Sequence, residues 1–385
     1  MDAPFIYGKL AKGLKFTNRQ KELDELLNNL KYGTNTILLS PRRWGKSSLV
    51  EKAALEIEKL DSDIRIVKID LFNIRSESAF YKEITEKVLA ATTGKISEIG
   101  DAIREFFRKL IPKVSFLPGA DLEFSISIDS QEAKKEPDEI LDLAENIAKS
   151  KNLKIRICID EFQNIGYFDD PLAFQKKLRA HWQKHENVSY ILYGSKRHML
   201  LEVFASPSMP FYNFGSMMFL EKISQKDWTD FIVKQFHESG KSITADLAAD
   251  IAGKAECHSY YVQQLAQLCW LRTKKEATKE IIEESFHALI MQLSLLFQNI
   301  TDTLSTTQVN FLHAVLNREE QLSSKTVISA YHLGTSANVS RIKKALIDRE
   351  IIDQQKGEIE MLDPVYKAWL TQIYFKKTPS RLKPE

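Results

Sequence analysis

Thr36-Ile-Leu-Leu-Ser-Pro-Arg-Arg-Trp-Gly-Lys-Ser-Ser-Leu49 decides the reading of this chain. The apolar run Ile37 to Leu39 predicts a buried strand. Ser47 to Ala54 has good helix formers with apolar residues at helical spacing, so a helix follows a tight loop. The loop fits the phosphate-binding pattern G-x-x-x-x-G-K-[ST], with Ser40 in the first position, then Gly45, Lys46 and Ser47. Amides at a helix start point at one spot, and the helix dipole favours negative charge there. Gly45 would let the main chain approach phosphates, Lys46 would reach the terminal ones, and the Ser47 hydroxyl would hold Mg²⁺. Ser40 departs from the pattern; if the backbone there needs positive φ, a serine costs roughly 1 kcal/mol.

A second feature pairs with the first. Ile155-Arg-Ile-Cys-Ile-Asp160-Glu161 is an apolar strand ending in two acids. At a strand's carboxyl end beside a phosphate loop, Asp160 could hold the Mg²⁺ water shell and Glu161 could orient an attacking water. A kinase, whose nucleophile is a substrate hydroxyl, has less use for that second acid. The next strand ends Tyr193-Gly-Ser195; its hydroxyl could sense a γ-phosphate, or could cap the helix that starts at His198.

Around these motifs the chain alternates strand and helix. A helix opens after Phe16-Thr-Asn-Arg19, with Thr17 or Asn18 as cap, an apolar stripe Leu23, Leu26, Leu27, Leu30, and Gly33 at its end. Strands are expected at 63–72, 154–159 and 188–193, and helices at 78–92, 96–110, 137–149 and 171–186. A hairpin turning at Pro118-Gly119 lies in an insertion spanning about 94–136. The alternation predicts an α/β core, a mostly parallel sheet with helices on both faces. After Pro210 the strand signal fades, and 225–297 is helical throughout. From Leu304 the order is helix, helix-turn-helix and a hairpin turning at Lys356-Gly357, which is a winged helix. Its third helix, 337–348 with Ser336 as cap, would expose Asn338, Ser340, Arg341, Lys343 and Lys344 to DNA. The expected division is therefore a phosphate-loop core at 1–220, a helical subdomain at 221–300 and a winged helix at 301–385, with a disordered tail from Lys376.

Composition narrows the classes. The 54 Lys+Arg against 52 Asp+Glu leave a net charge of +2, with no global pull towards nucleic acid or anionic membrane. Residues 301–385 hold 12 Lys+Arg and 10 Asp+Glu, so 12 − 10 = +2, and Glu358 and Glu360 stand on the wing. A strong phosphate-binding footprint would be more basic, so the winged helix can serve DNA or a protein partner. No apolar run is long enough to span a bilayer, and the start Met1-Asp-Ala-Pro4 is unlike a signal peptide, which points to the cytosol. Cys158, Cys257 and Cys269 read as reduced core residues, and His181 and His185 lack a third metal ligand.

The chain resembles the STAND-related, archaeal and bacterial branch of the AAA+ ATPases. Phe16-x-Asn18-Arg19-x-x-Glu22-Leu23, Ser40 to Ser48, Ile159-Asp-Glu-Phe-Gln163, Tyr193-Gly-Ser195 and His258-Ser-Tyr-Tyr-Val-Gln263 carry the likeness. It implies a P-loop core, a helical lid and a winged helix binding ATP or ADP with Mg²⁺, and leaves room for assembly through the nucleotide site. By that resemblance Lys46, Ser47 and the neighbouring Pro41, Arg42, Arg43, Trp44, Gly45 and Ser48 surround the phosphates. Asp160 and Glu161 are the Walker B acids, Ser195 is the sensor, and Arg19 lines the adenine side. Pro210-Phe-Tyr-Asn-Phe-Gly215-Ser216 loosely matches a family element without its final arginine; Arg179 and Arg197 are the substitutes to test for a charge-stabilising arginine, with a surface or helix-pairing role the alternative for each. The lid's usual glycine-histidine-proline reads Cys257-His258-Ser259. Slow hydrolysis is the leading expectation, and a nucleotide-held switch touching DNA or protein is the alternative.

Overall fold

The computed structural model describes residues 3–11, 16–92, 137–355 and 357–377. The expected helix at 96–110, the Pro118-Gly119 hairpin and most of the tail lie outside them. Contacts divide the chain into a sheet unit, residues 19–42 and 46–221, and a helical unit, which takes residues up to 18, 43–45 and 222–385.

In the sheet unit, β1 (Thr36–Leu39), β2 (Ile64–Asp70), β3 (Lys154–Asp160), β4 (Val188–Gly194) and β5 (Ser216–Phe219) form one sheet in the order β2-β3-β4-β1-β5. All pairings are parallel. Such strands bury both faces, which explains the unbroken apolar runs. The helices are α1 (Gln20–Tyr32), α2 (Lys46–Leu60), α3 (Glu77–Thr92), α4 (Pro137–Lys151), α5 (Pro171–Trp182) and α6 (Arg197–Ala205). Ile155, Ile157 and Ile159 of β3 face a core shared with Phe80, Leu178 and Trp182. Period-two alternation then puts Asp160 on the opposite face with Arg156 and Cys158.

Several boundaries differ from expectation. Strand β5 falls where the strand signal was thought to have faded: Ser-Met-Met-Phe has no β-branched residue, and pairing with β1 alone makes it a strand. Neither Thr17 nor Asn18 caps α1; its N-cap is Arg19, without a side-chain cap bond, while Gly33 closes the helix in the left-handed region as expected. Helix α6 starts from Lys196, so Ser195 is not its cap. His181 and His185 share Asp142, at 2.8 and 3.0 Å, and His185 also meets the Tyr190 hydroxyl at 2.8 Å.

The helical unit holds α7 (Gln225–Glu238), α8 (Ala245–Lys254), α9 (Ser259–Arg272), α10 (Lys279–Asp302), α11 (Thr306–Leu316), α12 (Lys325–Ala330) and α13 (Ser336–Asp348). The hairpin β6 (Ile352–Gln355) with β7 (Glu358–Met361) follows, then α14 (Pro364–Trp369). One apolar core runs through it from Trp228 and Phe236 to Tyr366 and Trp369, with Phe5 packed in edge-on to Phe231. Helix α13 is capped by Thr335 rather than Ser336, and Cys257 is half-buried rather than core. Asn338 was expected to face DNA, but its amide donates to the Leu333 carbonyl at 2.8 Å, and Lys343 is only half-exposed. Ser340, Arg341 and Lys344 are exposed. No described helix is long and apolar enough to cross a membrane.

Candidate nucleotide site

The site is built at the carboxyl ends of β1, β3 and β4, which the strand order makes neighbours. The loop after β1 turns through two left-handed residues, Arg43 at φ 63° and Gly45 at φ 98°. Ser40 is not among the positive-φ residues, so its Cβ carries none of the strain anticipated for it. A Cβ added at Gly45 would meet nothing within 4 Å, so this glycine is required by its backbone angle, and the side facing away from the chain is open to a ligand.

Helix α2 begins directly after that glycine, so its first amides have no capping side chain from the preceding residue. Lys46 is buried, and its ammonium donates to the carbonyls of Ser40 and Pro41, both at 3.0 Å. The Ser47 hydroxyl donates to Asp160 Oδ2 at 3.0 Å, which joins the loop to the end of β3. The Glu161 amide donates to Asp160 Oδ1 at 2.8 Å. Burial pushes the Asp160 carboxyl up to about 6, with the neighbouring Glu161 charge adding to it; the Glu161 amide, Ser47 and Lys46 pull the other way.

Glu161 adopts the left-handed conformation, φ 52° and ψ 39°, strain of order 1 kcal/mol that turns its side chain off the strand line. Ser195, at the end of β4, donates to Glu161 Oε2 at 3.2 Å, and the Gln163 amide donates to the same oxygen. Gln163 is the functional residue that the sequence does not single out, because an amide two residues after an acid pair carries no motif of its own. Asn164 ties this turn to β2, its amide donating to the Leu71 carbonyl at 3.0 Å.

The structure thus brings together Lys46, Ser47, Asp160, Glu161 and Ser195. Pro41 is buried behind them, Ser48 is half-buried in the first turn of α2, and Arg42 is exposed. Arg19 is buried beside the start of α1 and donates to Glu22 at 2.8 Å. Arg43 and Trp44 group with the helical unit, the Arg43 guanidinium 4.4 Å from the Tyr260 ring and Lys222 5.9 Å from the Trp44 ring. Arg179 lies 5.0 Å over the Phe214 ring, occupied within its own unit.

The donor set fits a divalent hard cation: two oxygens, Ser47 Oγ and Asp160 Oδ2, already converge, and a buried carboxylate gains from a cation beside it. The open helix start with a lysine fits phosphates. Fold and site therefore define a P-loop nucleotide-binding protein with a C-terminal winged helix.

The family model described as "ATPase domain predominantly from Archaea" matches residues 16–247, and the chain belongs to that family. A "probable winged helix domain" matches residues 295–372. Among solved structures, the chain is similar to the Walker-type ATPase PABY2304 of Pyrococcus abyssi, with 15% identity and a TM-score of 0.66. That match covers 96% of this chain and 99% of the other. It is also similar to the Aeropyrum pernix ORC2 protein in ADPNP and ADP complexes, with 12% identity and a TM-score of 0.57, covering 96% and 95% of the two chains. No curated protein matches the sequence at a significant level.

Proposed function

We propose that this ATPase-family chain is a slow Mg²⁺-dependent ATP hydrolase whose nucleotide state repositions the lid and the winged helix. The observation that supports it most is the bond from Ser47 to Asp160, which sets a metal-type oxygen pair between the phosphate loop and the second acid. Lys46 would leave its carbonyl partners for the terminal phosphates, and the amides of 44–48 would cradle them with Pro41, Arg42 and Arg43 alongside. Ser47 and Asp160 would hold Mg²⁺, which supplies charge neutralisation to the phosphates. Glu161 orients and polarises the attacking water, Ser195 reports the γ-phosphate to it, and Arg19 borders the base. The working division remains a core at 1–220, a lid at 221–300 and a winged helix at 301–385.

Turnover is slow in this reading unless another subunit or partner completes the charge-stabilising shell; Arg179 is engaged with Phe214. Phosphate release should fall at least about 100-fold in Glu161→Gln with ADP affinity kept, whereas Lys46→Ala should lose affinity as well. Wild-type hydrolysis in either variant would overturn the reading.

A second reading concerns partners. Ser340, Arg341 and Lys344 lie exposed on α13, the position from which a winged helix reads DNA, and this favours DNA contact over no nucleic-acid role. Arg341→Glu with Lys344→Glu should abolish a salt-sensitive shift of duplex DNA. A winged helix that docks protein would leave no shift to abolish.

A further inference from the structure

The turn after β3 carries an amide placed at some cost. Gln163 is 1% exposed, and its carboxamide lies between Glu161 and the end of β4. A carboxylate oxygen only accepts, so the NH₂ end of the amide must face Glu161 Oε2. That orientation leaves Gln163 Oε1 buried with no hydrogen-bond partner among the described residues. An orphaned buried acceptor destabilises the fold, so the amide is held there for its donor end.

The space for it comes from Gly194. A Cβ at that position would sit 1.9 Å from Gln163 Oε1, 3.0 Å from its Cδ and 3.3 Å from the Glu161 Cα. No φ in the left-handed region demands a glycine there; Gly194 ends β4 as ordinary strand, so the room it leaves is what distinguishes it from alanine. The Ser195 hydroxyl, one residue on, donates to the same Oε2 at 3.2 Å. Two donors from different elements therefore fix one oxygen of Glu161, and the other oxygen takes neither bond.

We propose that Gln163 is a positioning residue for hydrolysis: with Ser195 it clamps Glu161 through Oε2, leaving Oε1 to address the water, and Gly194 exists to admit its amide. The inference rests on the assignment of Glu161 as the water-orienting acid. A carboxylate left to rotate on its own side chain spends less time in line with water, and misplacement of about 1 Å lowers rates by up to about 100-fold.

The test is steady-state phosphate release with Mg-ATP on the full chain, together with titration of a fluorescent ADP. Gln163→Ala should lower kcat about 10- to 100-fold, with KM and ADP affinity within about twofold of wild type. Gly194→Ala should reproduce that loss by displacing an intact amide, and it carries the test should Gln163→Ala not fold. The double variant should be no slower than the slower single one, because both act on the same clamp. Full kcat in Gln163→Ala or Gly194→Ala with Glu161→Gln inactive would overturn the clamp and leave the role of Glu161 standing. Multiplying losses in the double variant would also overturn it. Full activity in Glu161→Gln would overturn both.

Discussion

Helix α13 of the winged helix and helix α2 after the phosphate loop begin in opposite ways. Thr335 caps α13 itself, its hydroxyl accepting from the Asn338 amide at 3.2 Å, and the Asn338 side chain closes the turn onto Leu333. Helices α7, α8, α10, α11 and α12 do likewise with Ser224, Thr244, Thr278, Ser305 and Ser324. Helix α2 follows Gly45, which has no side chain to offer. A helix start capped by the residue before it is structural, whereas one that follows a glycine in the left-handed region, with open space beside it, leaves room for an anion. Helix α9 is a third case: His258 holds its N-cap position without a side-chain cap bond, and its Nδ1 is buried with no hydrogen-bond partner among the described residues.

Substitutions can break this comparison, and the largest effect is expected at α2. Lys46→Ala should weaken Mg-ATP binding at least about 100-fold, since it removes the one buried cation of the cradle. A titration with unchanged affinity would mean that the α2 start is not an anion site. Gly45→Ala comes next: with φ at 98°, alanine there is strained, so nucleotide affinity should fall about tenfold and the melting temperature by a few degrees.

His258 predicts a pH effect of opposite character. Burial, then the Arg43 and Lys222 charges, lower it from its ordinary 6.5 to about 4. The unfolded chain then binds a proton that the folded chain refuses, so its contribution to stability is whole above pH 6.5 and lost as pH falls towards 4. Relative to His258→Phe, the wild type should lose roughly 2 kcal/mol between pH 7 and pH 5, measured by urea titration. Equal slopes for the two proteins would show that the histidine is not held neutral. The smallest effect belongs to Thr335→Ala, which should cost about 1 kcal/mol in the same titration and leave ATP binding unchanged. Loss of nucleotide affinity in that variant would erase the distinction between the two helix starts.

Much of the site could be read before folding. Gly45, Lys46 and Ser47 announce themselves by fixed spacing, and Asp160-Glu161 by closing an apolar strand, because both motifs are local. Strand β5 could not be read, since Ser-Met-Met-Phe holds a single strand-prone residue, Phe219, and becomes a strand by lying beside β1. Asn338 misled for a related reason: an exposed-looking amide on a helix was captured by a carbonyl five residues back.

Chain order alone determined a parallel sheet with a phosphate loop, a following acid pair, a helical stretch and a winged helix, because periodicity and motif spacing act over a few neighbouring residues. Tertiary structure decided the strand order that sets β4 between β1 and β3, and with it the meeting of Ser47 with Asp160 and of Ser195 with Glu161. Those partners lie up to 113 residues apart, and only closure of the sheet brings them within hydrogen-bond range.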